Sequence, residues 1–197
     1  ATGKRSYLDQ AVSWQAVLER HYANEATGTY FLTADDAEGL VVRPASVADD
    51  ATPNPNAIAA QNLIRLAAFT GDHAFRARAD RLIDGVLAQS GENLFAIMAL
   101  LNAIDMRMNL AEIVVTGEAP SDSSNPLLDA ALALPHFNRT VLRASSADAL
   151  PASHPAQQKL KAVSGPAAFV CIGETCSLPV TAPDDLARIF ESARGQA

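Results

Sequence analysis

Cationic side chains are scarce in this sequence: 15 lysines and arginines stand against 22 aspartates and glutamates, a formal net charge of −7 over 197 residues. Nucleic-acid surfaces rest on clustered Lys and Arg, and no such cluster occurs, so nucleic acid is not an expected partner. Cysteine is also scarce. Two cysteines in a chain of this length do not make the disulfide framework of a small secreted domain, and a cytoplasmic location is expected. Long apolar runs are missing too. The most apolar stretch, residues 94–101, is closed by Asn102 and Asp105, well short of the roughly 20 residues a membrane helix requires. It reads as a buried helix, and no membrane partner is expected. The chain begins at Ala1, and no apolar signal core follows Lys4-Arg5, which reads as a piece of a longer polypeptide.

The common catalytic signatures are missing as well. There is no G-x-S-x-G elbow, Walker loop or H-E-x-x-H. Gly117 follows an apolar run, but Glu118-Ala119-Pro120 supplies neither further glycine that a dinucleotide turn needs. His21, His73, His136 and His154 are scattered without ligand spacing, and a structural zinc site needs four ligands. Neither a metal nor a cofactor is expected.

What the chain does have is apolar surface. With 49% hydrophobic and 19% charged residues it is a folded type, long enough for one good core or two small ones. Tyr7, Ala11, Trp14, Leu18 and Tyr22 recur at helical spacing and predict a first helix with one buried face. Tyr30-Phe31-Leu32-Thr33 and Leu40-Val41-Val42-Arg43, flanking an acidic turn at residues 35–39, read as a short β-hairpin. A helix starting at Asn54 or Asn56, with Pro55 suited to its first position, runs to Thr70, where Gly71 can cap it. Only Gln61, Asn62 and Arg65 are strongly polar on it, so it suits an inner position. Residues 72–89 differ: Phe75, Ala79, Leu82 and Val86 make one stripe, while Arg76, Arg78, Asp80, Arg81 and Asp84 are expected to face water. The two segments form an inner–outer helical hairpin, and a third apolar helix covers residues 92–108.

After Asn109 the period changes. Short apolar runs at residues 112–116, 140–143 and 167–171 alternate with helix-like stretches at 125–134, 155–162 and 183–193. That alternation predicts a small, mostly parallel sheet. The expected organisation is residues 1–108 as helical hairpins with a rim β-hairpin, and residues 109–197 as a small α/β domain. The class is mainly α with a small α/β part.

Two segments carry a resemblance. The first is Asp49-Asp50-Ala51-Thr52-Pro53-Asn54-Pro55-Asn56, leading into a helix with Asn62-Leu63-Ile64-Arg65-Leu66-Ala67; the second is Phe169-Val170-Cys171-Ile172-Gly173-Glu174-Thr175-Cys176-Ser177-Leu178-Pro179-Val180. Together they resemble the C-terminal part of the thioredoxin-domain-containing proteins of the spermatogenesis-associated type, from about Tyr7 to about Phe190. Asp49, Asp50, Pro53, Asn56, Asn62, Leu63, Arg65, Leu66 and Ala67 match that pattern; Asn54 and Pro55 stand where the family usually has Ser-Gly, giving a stiffer loop. The resemblance implies a longer protein with an N-terminal thioredoxin-like domain. It also implies an α/α toroid related to N-acylglucosamine 2-epimerases and six-hairpin glycosidases, of which residues 1–108 are a part.

On that reading Asp49 and Asp50 are candidate catalytic carboxylates at the toroid mouth, with Arg43, Asn54, Asn56 and Tyr30 as candidate substrate-binding residues for a small carbohydrate. Asp and Asn offer the acceptors and donors that a polyol needs. The same residues also suit a helix start and a tight turn, satisfying orphan N–H groups, and Arg43 suits an ion pair with Asp49. Asn62 and Arg65 read either as pocket liners or as a buried pair linking helices. Tyr30 and Trp14 suit sugar stacking or a core. Cys171 and Cys176, spaced C-x4-C, read as two ordinary thiols, one of them buried, with a redox pair as the alternative.

Two functions follow: a fragment of a carbohydrate-binding or carbohydrate-acting toroid, or a non-catalytic scaffold or interaction module supporting the N-terminal thioredoxin-like domain that the resemblance implies. A toroid needs about twelve helices and residues 1–108 supply roughly four, so the isolated chain is expected to self-associate and to turn over no sugar alone.

Overall fold

The computed structural model describes residues 4–37, 39–117, 125–150, 154, 156–173 and 175–194. Glu38, Pro155 and Glu174, and the Glu118-Ala119-Pro120 segment, therefore lie outside the described residues. The chain divides into two compact units, one made of residues 5–67 and 72–108, the other of residues 1–4, 68–71 and 109–197.

The first unit is helical. Its helices are α1 (Arg5–His21), α2 (Pro55–Thr70), α3 (His73–Gln89) and α4 (Met98–Asn109), with a short antiparallel pair β1 (Ala23–Asn24) and β2 (Thr29–Tyr30). Each start has a local cause. Pro55 opens α2, and the Asn54 side chain accepts from the N–H groups of Asn56 (2.8 Å) and Ala57 (3.3 Å). Asp72 caps α3 by accepting from Ala74 N–H at 2.9 Å. Gly71, at φ 67, takes the left-handed turn between them. α2 buries Ala57, Ala60 and Leu63 completely, with Ile64 and Leu66 nearly so. α3 buries a narrower stripe built on Ala79, Leu82 and Val86, as its polar pattern predicts. The third expected helix is broken: a 3-10 turn, Leu94–Ile97, capped by Asn93, precedes α4.

Three expectations for this unit are corrected. The β-hairpin lies earlier, with Ala23 opposite Tyr30, and residues 40–43 form no strand; the tight turn that permits pairing is the one containing Gly28, at φ 72. The buried face of α1 is turned one residue from the expected stripe: Gln15 is buried, whereas Tyr7 is 63% and Trp14 66% exposed. Arg78 is buried instead of facing water, because it falls three residues after Phe75 and four before Leu82, on the apolar stripe itself.

The second unit is a layered α/β body. A four-stranded sheet has the order β4 (Arg139–Ala144), β3 (Ala111–Thr116), β5 (Ala168–Ile172), β6 (Thr175–Cys176). Ile113, Val115, Ala168 and Val170 pack against Leu127, Ala131, Leu186 and Phe190 from α5 (Pro126–Ala133) and α7 (Pro183–Arg194). Val114 and Phe169 pack on the opposite face with Leu160 from α6 (Gln157–Lys161). A strand covered on both faces reads as a continuous apolar run, which is why these strands are plain in the sequence.

The sheet is mixed, not mostly parallel. β3 and β4 run parallel across the α5 crossover, but β5 pairs antiparallel with β3, and β6 antiparallel with β5. β5 enters the sheet at the end where β4 leaves it, so it runs antiparallel to β3, and an alternation of strands and helices in the sequence does not by itself fix that direction.

Candidate functional site

The candidate residues of the first unit gather where residues 43–56 lead into α2. Asp49 has both carboxylate oxygens engaged: Oδ1 accepts from Asn54 N–H and Oδ2 from Ala99 N–H, each at 2.8 Å. Its own N–H donates to Ala96 O at 2.7 Å. One side chain thus satisfies backbone donors at the starts of both α2 and α4. Asn54, 1% exposed, caps α2 through its oxygen and donates through its amide to Ser46 O (3.1 Å) and Ala48 O (3.4 Å). Asn56, also 1% exposed, accepts from Tyr30 N–H at 2.7 Å and donates to Tyr30 O (3.1 Å) and Ser46 O (3.0 Å). An extended segment would otherwise leave these backbone groups unpaired, and the two asparagines stand in for a neighbouring strand.

The other candidates lie apart from this knot. Asp50 is exposed, and its N–H donates to Thr52 O at 3.1 Å. Arg43 does not pair with Asp49. It donates to Thr33 O (2.7 Å) and His21 O (2.7 Å) and lies over the Phe31 ring, 4.3 Å from its centroid. Asn62 is exposed, so the buried Asn62–Arg65 pair is not formed; Arg65 is half-buried, and burial pulls its guanidinium below its usual pKa. Tyr30 is buried and Trp14 is exposed.

Sequence reasoning missed a second polar network. Tyr30 donates its hydroxyl proton to Glu19 Oε1, and Gln15 donates to both Tyr30 Oη (2.8 Å) and Glu19 Oε1 (3.0 Å). Arg78 approaches Glu19 with Nε at 3.0 Å from both oxygens and donates through Nη1 to Gly28 O at 2.8 Å. Burial, then the bond to Glu19, raises the phenol pKa far above its usual value. A signal existed: Gln15 and Glu19 lie four apart on the buried face of α1.

His21 Nδ1 sits 2.8 Å from Asp35 Oδ1 and 3.4 Å from Asp36 Oδ2, a grouping that the sequence spacing hid. Hydrogen bonding to His21 lowers the Asp35 pKa. Both carboxylates are exposed, and the imidazole nitrogen is already matched to them.

In the second unit Cys171 and Cys176 are joined by a disulfide across register partners of β5 and β6. This corrects the expectation of two ordinary thiols: the spacing C-x4-C spans a tight hairpin, which brings the two Cα atoms to 3.9 Å. One of the pair, Cys171, is buried as expected.

No helix of the described residues is long and apolar enough to cross a membrane. No family model matches the chain. Among curated proteins, it is 24% identical over 198 residues to spermatogenesis-associated protein 20 of Homo sapiens, covering 96% of this chain and 25% of that protein. It is 25% identical over 189 residues to an uncharacterized protein of Caenorhabditis elegans, covering 95% of this chain and 26% of that one. The chain thus spans about a quarter of the length of the curated relatives it matches. The similarity to these relatives runs along nearly the whole chain.

Proposed function

We propose that this chain is a non-catalytic interaction module of a longer polypeptide, and that α1 is the face it presents to the remainder. The observation that carries this reading is the stripe Tyr7, Trp14 and Val17, which are 63%, 66% and 47% exposed on one side of α1. They are spaced seven and three residues apart, so they form one surface. Contiguous exposed apolar surface with aromatic anchors is what protein contacts use. Relatives about four times as long supply a covalently attached candidate to cover it.

The carbohydrate reading has less support. A polyol-binding rim needs free acceptors and donors, and the polar atoms of Asp49, Asn54 and Asn56 are bonded to backbone of their own unit. A general acid–base pair needs two carboxylates facing one substrate, while Asp49 is bonded inward and Asp50 faces solvent.

Trp14 is the single tryptophan of the chain, so its fluorescence reports this face directly. The isolated chain should emit as an exposed indole and associate with itself at high concentration by light scattering. Adding the remaining part of the longer polypeptide should shift emission to the blue. Tyr7→Lys with Trp14→Lys should abolish self-association and weaken capture of that part, with helicity retained. Unchanged Trp14 emission in the longer polypeptide, or turnover of an aldose or amino sugar by the isolated chain, would overturn the proposal.

A further inference from the structure

The disulfide sits where it does little for the fold. The entropy a cross-link removes from the unfolded chain grows with loop length, and Cys171 and Cys176 are only five residues apart. The return of the chain is held independently. Ser177 N–H donates to Val170 O at 2.8 Å, Val170 N–H donates to Ser177 Oγ at 3.0 Å, and Ala168 and Val180 exchange both backbone bonds at 2.8 Å. None of these bonds involves a sulfur.

The two cysteines are not equivalent. Cys171 lies on β5 between two neighbouring strands and is 3% exposed. Cys176 lies on the edge strand β6 and is partly exposed, so a nucleophile from solvent meets its sulfur first. Lys159, on α6, donates to the carbonyls of Cys176 (2.8 Å) and Ser177 (3.3 Å). This contact anchors a positive charge at the same residue. A cation beside a cysteine favours its thiolate, and a thiol of low pKa leaves faster in exchange.

From the access to Cys176, the burial of Cys171 and the placement of Lys159, we propose that the Cys171–Cys176 pair is a thiol–disulfide exchange site that accepts two electrons from a dithiol. Cys176 is the sulfur attacked. A thiolate of the dithiol bonds to Cys176 Sγ; the Cys171–Cys176 bond breaks, and its electron pair leaves on Cys171 Sγ, which takes a proton from water. The dithiol's second thiol loses its proton to solvent and attacks the partner sulfur of the mixed disulfide. The bond to Cys176 then breaks, and Cys176 departs as a thiolate beside Lys159. The dithiol ends as a disulfide and the pair as two reduced cysteines, with no further reactant.

The test uses the whole chain with dithiothreitol as the dithiol and glutathione as a trapping monothiol. Dithiothreitol without denaturant should reduce the pair, read after an acid quench as the mass gain of two hydrogens and as two thiols alkylated once the quenched chain is unfolded, while circular dichroism before the quench stays unchanged. Glutathione should form its mixed disulfide at Cys176. In the Cys171→Ala variant, alkylation of Cys176 should titrate below the ordinary thiol pKa of about 8.5. Adding Lys159→Met should move that midpoint up by about one pH unit and slow the neutral-pH reaction about tenfold. In Cys176→Ala, Cys171 should stay protected until denaturant is added. Reduction by dithiothreitol only in denaturant, or glutathione trapped at Cys171, would overturn the proposal; an unshifted profile in the Lys159→Met pair would remove Lys159 from it. Should Cys171→Ala fail to fold, glutathione mapping on the unaltered chain decides the matter.

Discussion

Arg78 lies across the ring of Tyr30, its guanidinium carbon 4.4 Å from the ring centroid, and holds Glu19 with Nε at 3.0 Å. The phenol above which it sits donates to the same carboxylate. Three helices and strands, α1, β2 and α3, are tied at one point by charge, ring face and hydroxyl together. Each partner lowers the desolvation cost of the others.

Arg78→Met keeps the length of the side chain and removes its charge, leaving Glu19 and the Gly28 carbonyl short of a donor. Because Glu19 is itself 38% exposed, water compensates in part, and the expected loss is about 1–3 kcal/mol. Arg78→Lys should recover only a fraction, since an ammonium cannot serve Glu19 and Gly28 in one plane. A urea midpoint unchanged in Arg78→Met would show the network to be idle.

The Asp49 knot makes a sharper contrast between neighbours. Asp49→Ala strips acceptors from the Asn54 and Ala99 N–H groups at two helix starts, and should cost about 2–3 kcal/mol. Asn56→Ala leaves both backbone groups of Tyr30 without their side-chain partner and should cost a similar amount. Asp50→Ala, at an exposed position, should fall within about 0.5 kcal/mol of the parent. Urea unfolding of the three variants checks this ordering; a destabilised Asp50→Ala beside a neutral Asp49→Ala would reverse the assignment.

Much of this fold is legible because its signals are local. The start of α2 is written in Asn54-Pro55, that of α3 in Asp72, and the strands β3 and β5 in apolar runs covered on both faces. What the sequence hid depends on partners distant along the chain. Arg78 meets a carboxylate 59 residues away. The second oxygen of Asp49 meets a helix start 50 residues away. The direction of β5 rests on its pairing with β3, a strand more than 50 residues earlier in the chain. The polar types at residues 49–56 read alike as catalytic or as capping groups, since the same acceptors serve both, and their backbone partners appear only in the fold.

His154 gives the second unit a pH dependence of known sign. It is 3% exposed, its Nδ1 accepts from Ala156 N–H at 3.2 Å, and burial pushes its pKa below the ordinary 6.5. Protonating that nitrogen would break the bond and place a charge in the core. The unfolded chain therefore binds a proton below about pH 6.5 that the folded chain refuses, and stability falls as pH drops from the ordinary value toward the depressed one. His154→Asn keeps an acceptor and removes the titration. Its urea midpoint, compared with the parent between about pH 8 and 5, should gain on the parent as the solution is acidified. A constant difference across that range would show that His154 is not the group concerned.

Gly85 is the position where a small change should do the most damage. It lies inside α3, where replacing glycine by alanine ordinarily gains about 1 kcal/mol of helix propensity. A Cβ built there would stand 2.2 Å from the carbonyl oxygen of Thr27 and 3.2 Å from the Thr29 methyl. The nearest obstacle is backbone, in the turn that joins β1 to β2, and it cannot swing aside as a flexible side chain does. Either α3 or that turn must move, and the turn also supplies the Gly28 carbonyl that Arg78 holds. Overpacking of this kind costs about 1–3 kcal/mol, enough to cancel the propensity gain and reverse it. Gly85→Ala should therefore unfold at lower urea than the parent, whereas Gly91→Ala, where a Cβ meets nothing within 4 Å, should not. Equal midpoints for the two variants would show that the approach of α3 to this turn places no steric limit on residue 85.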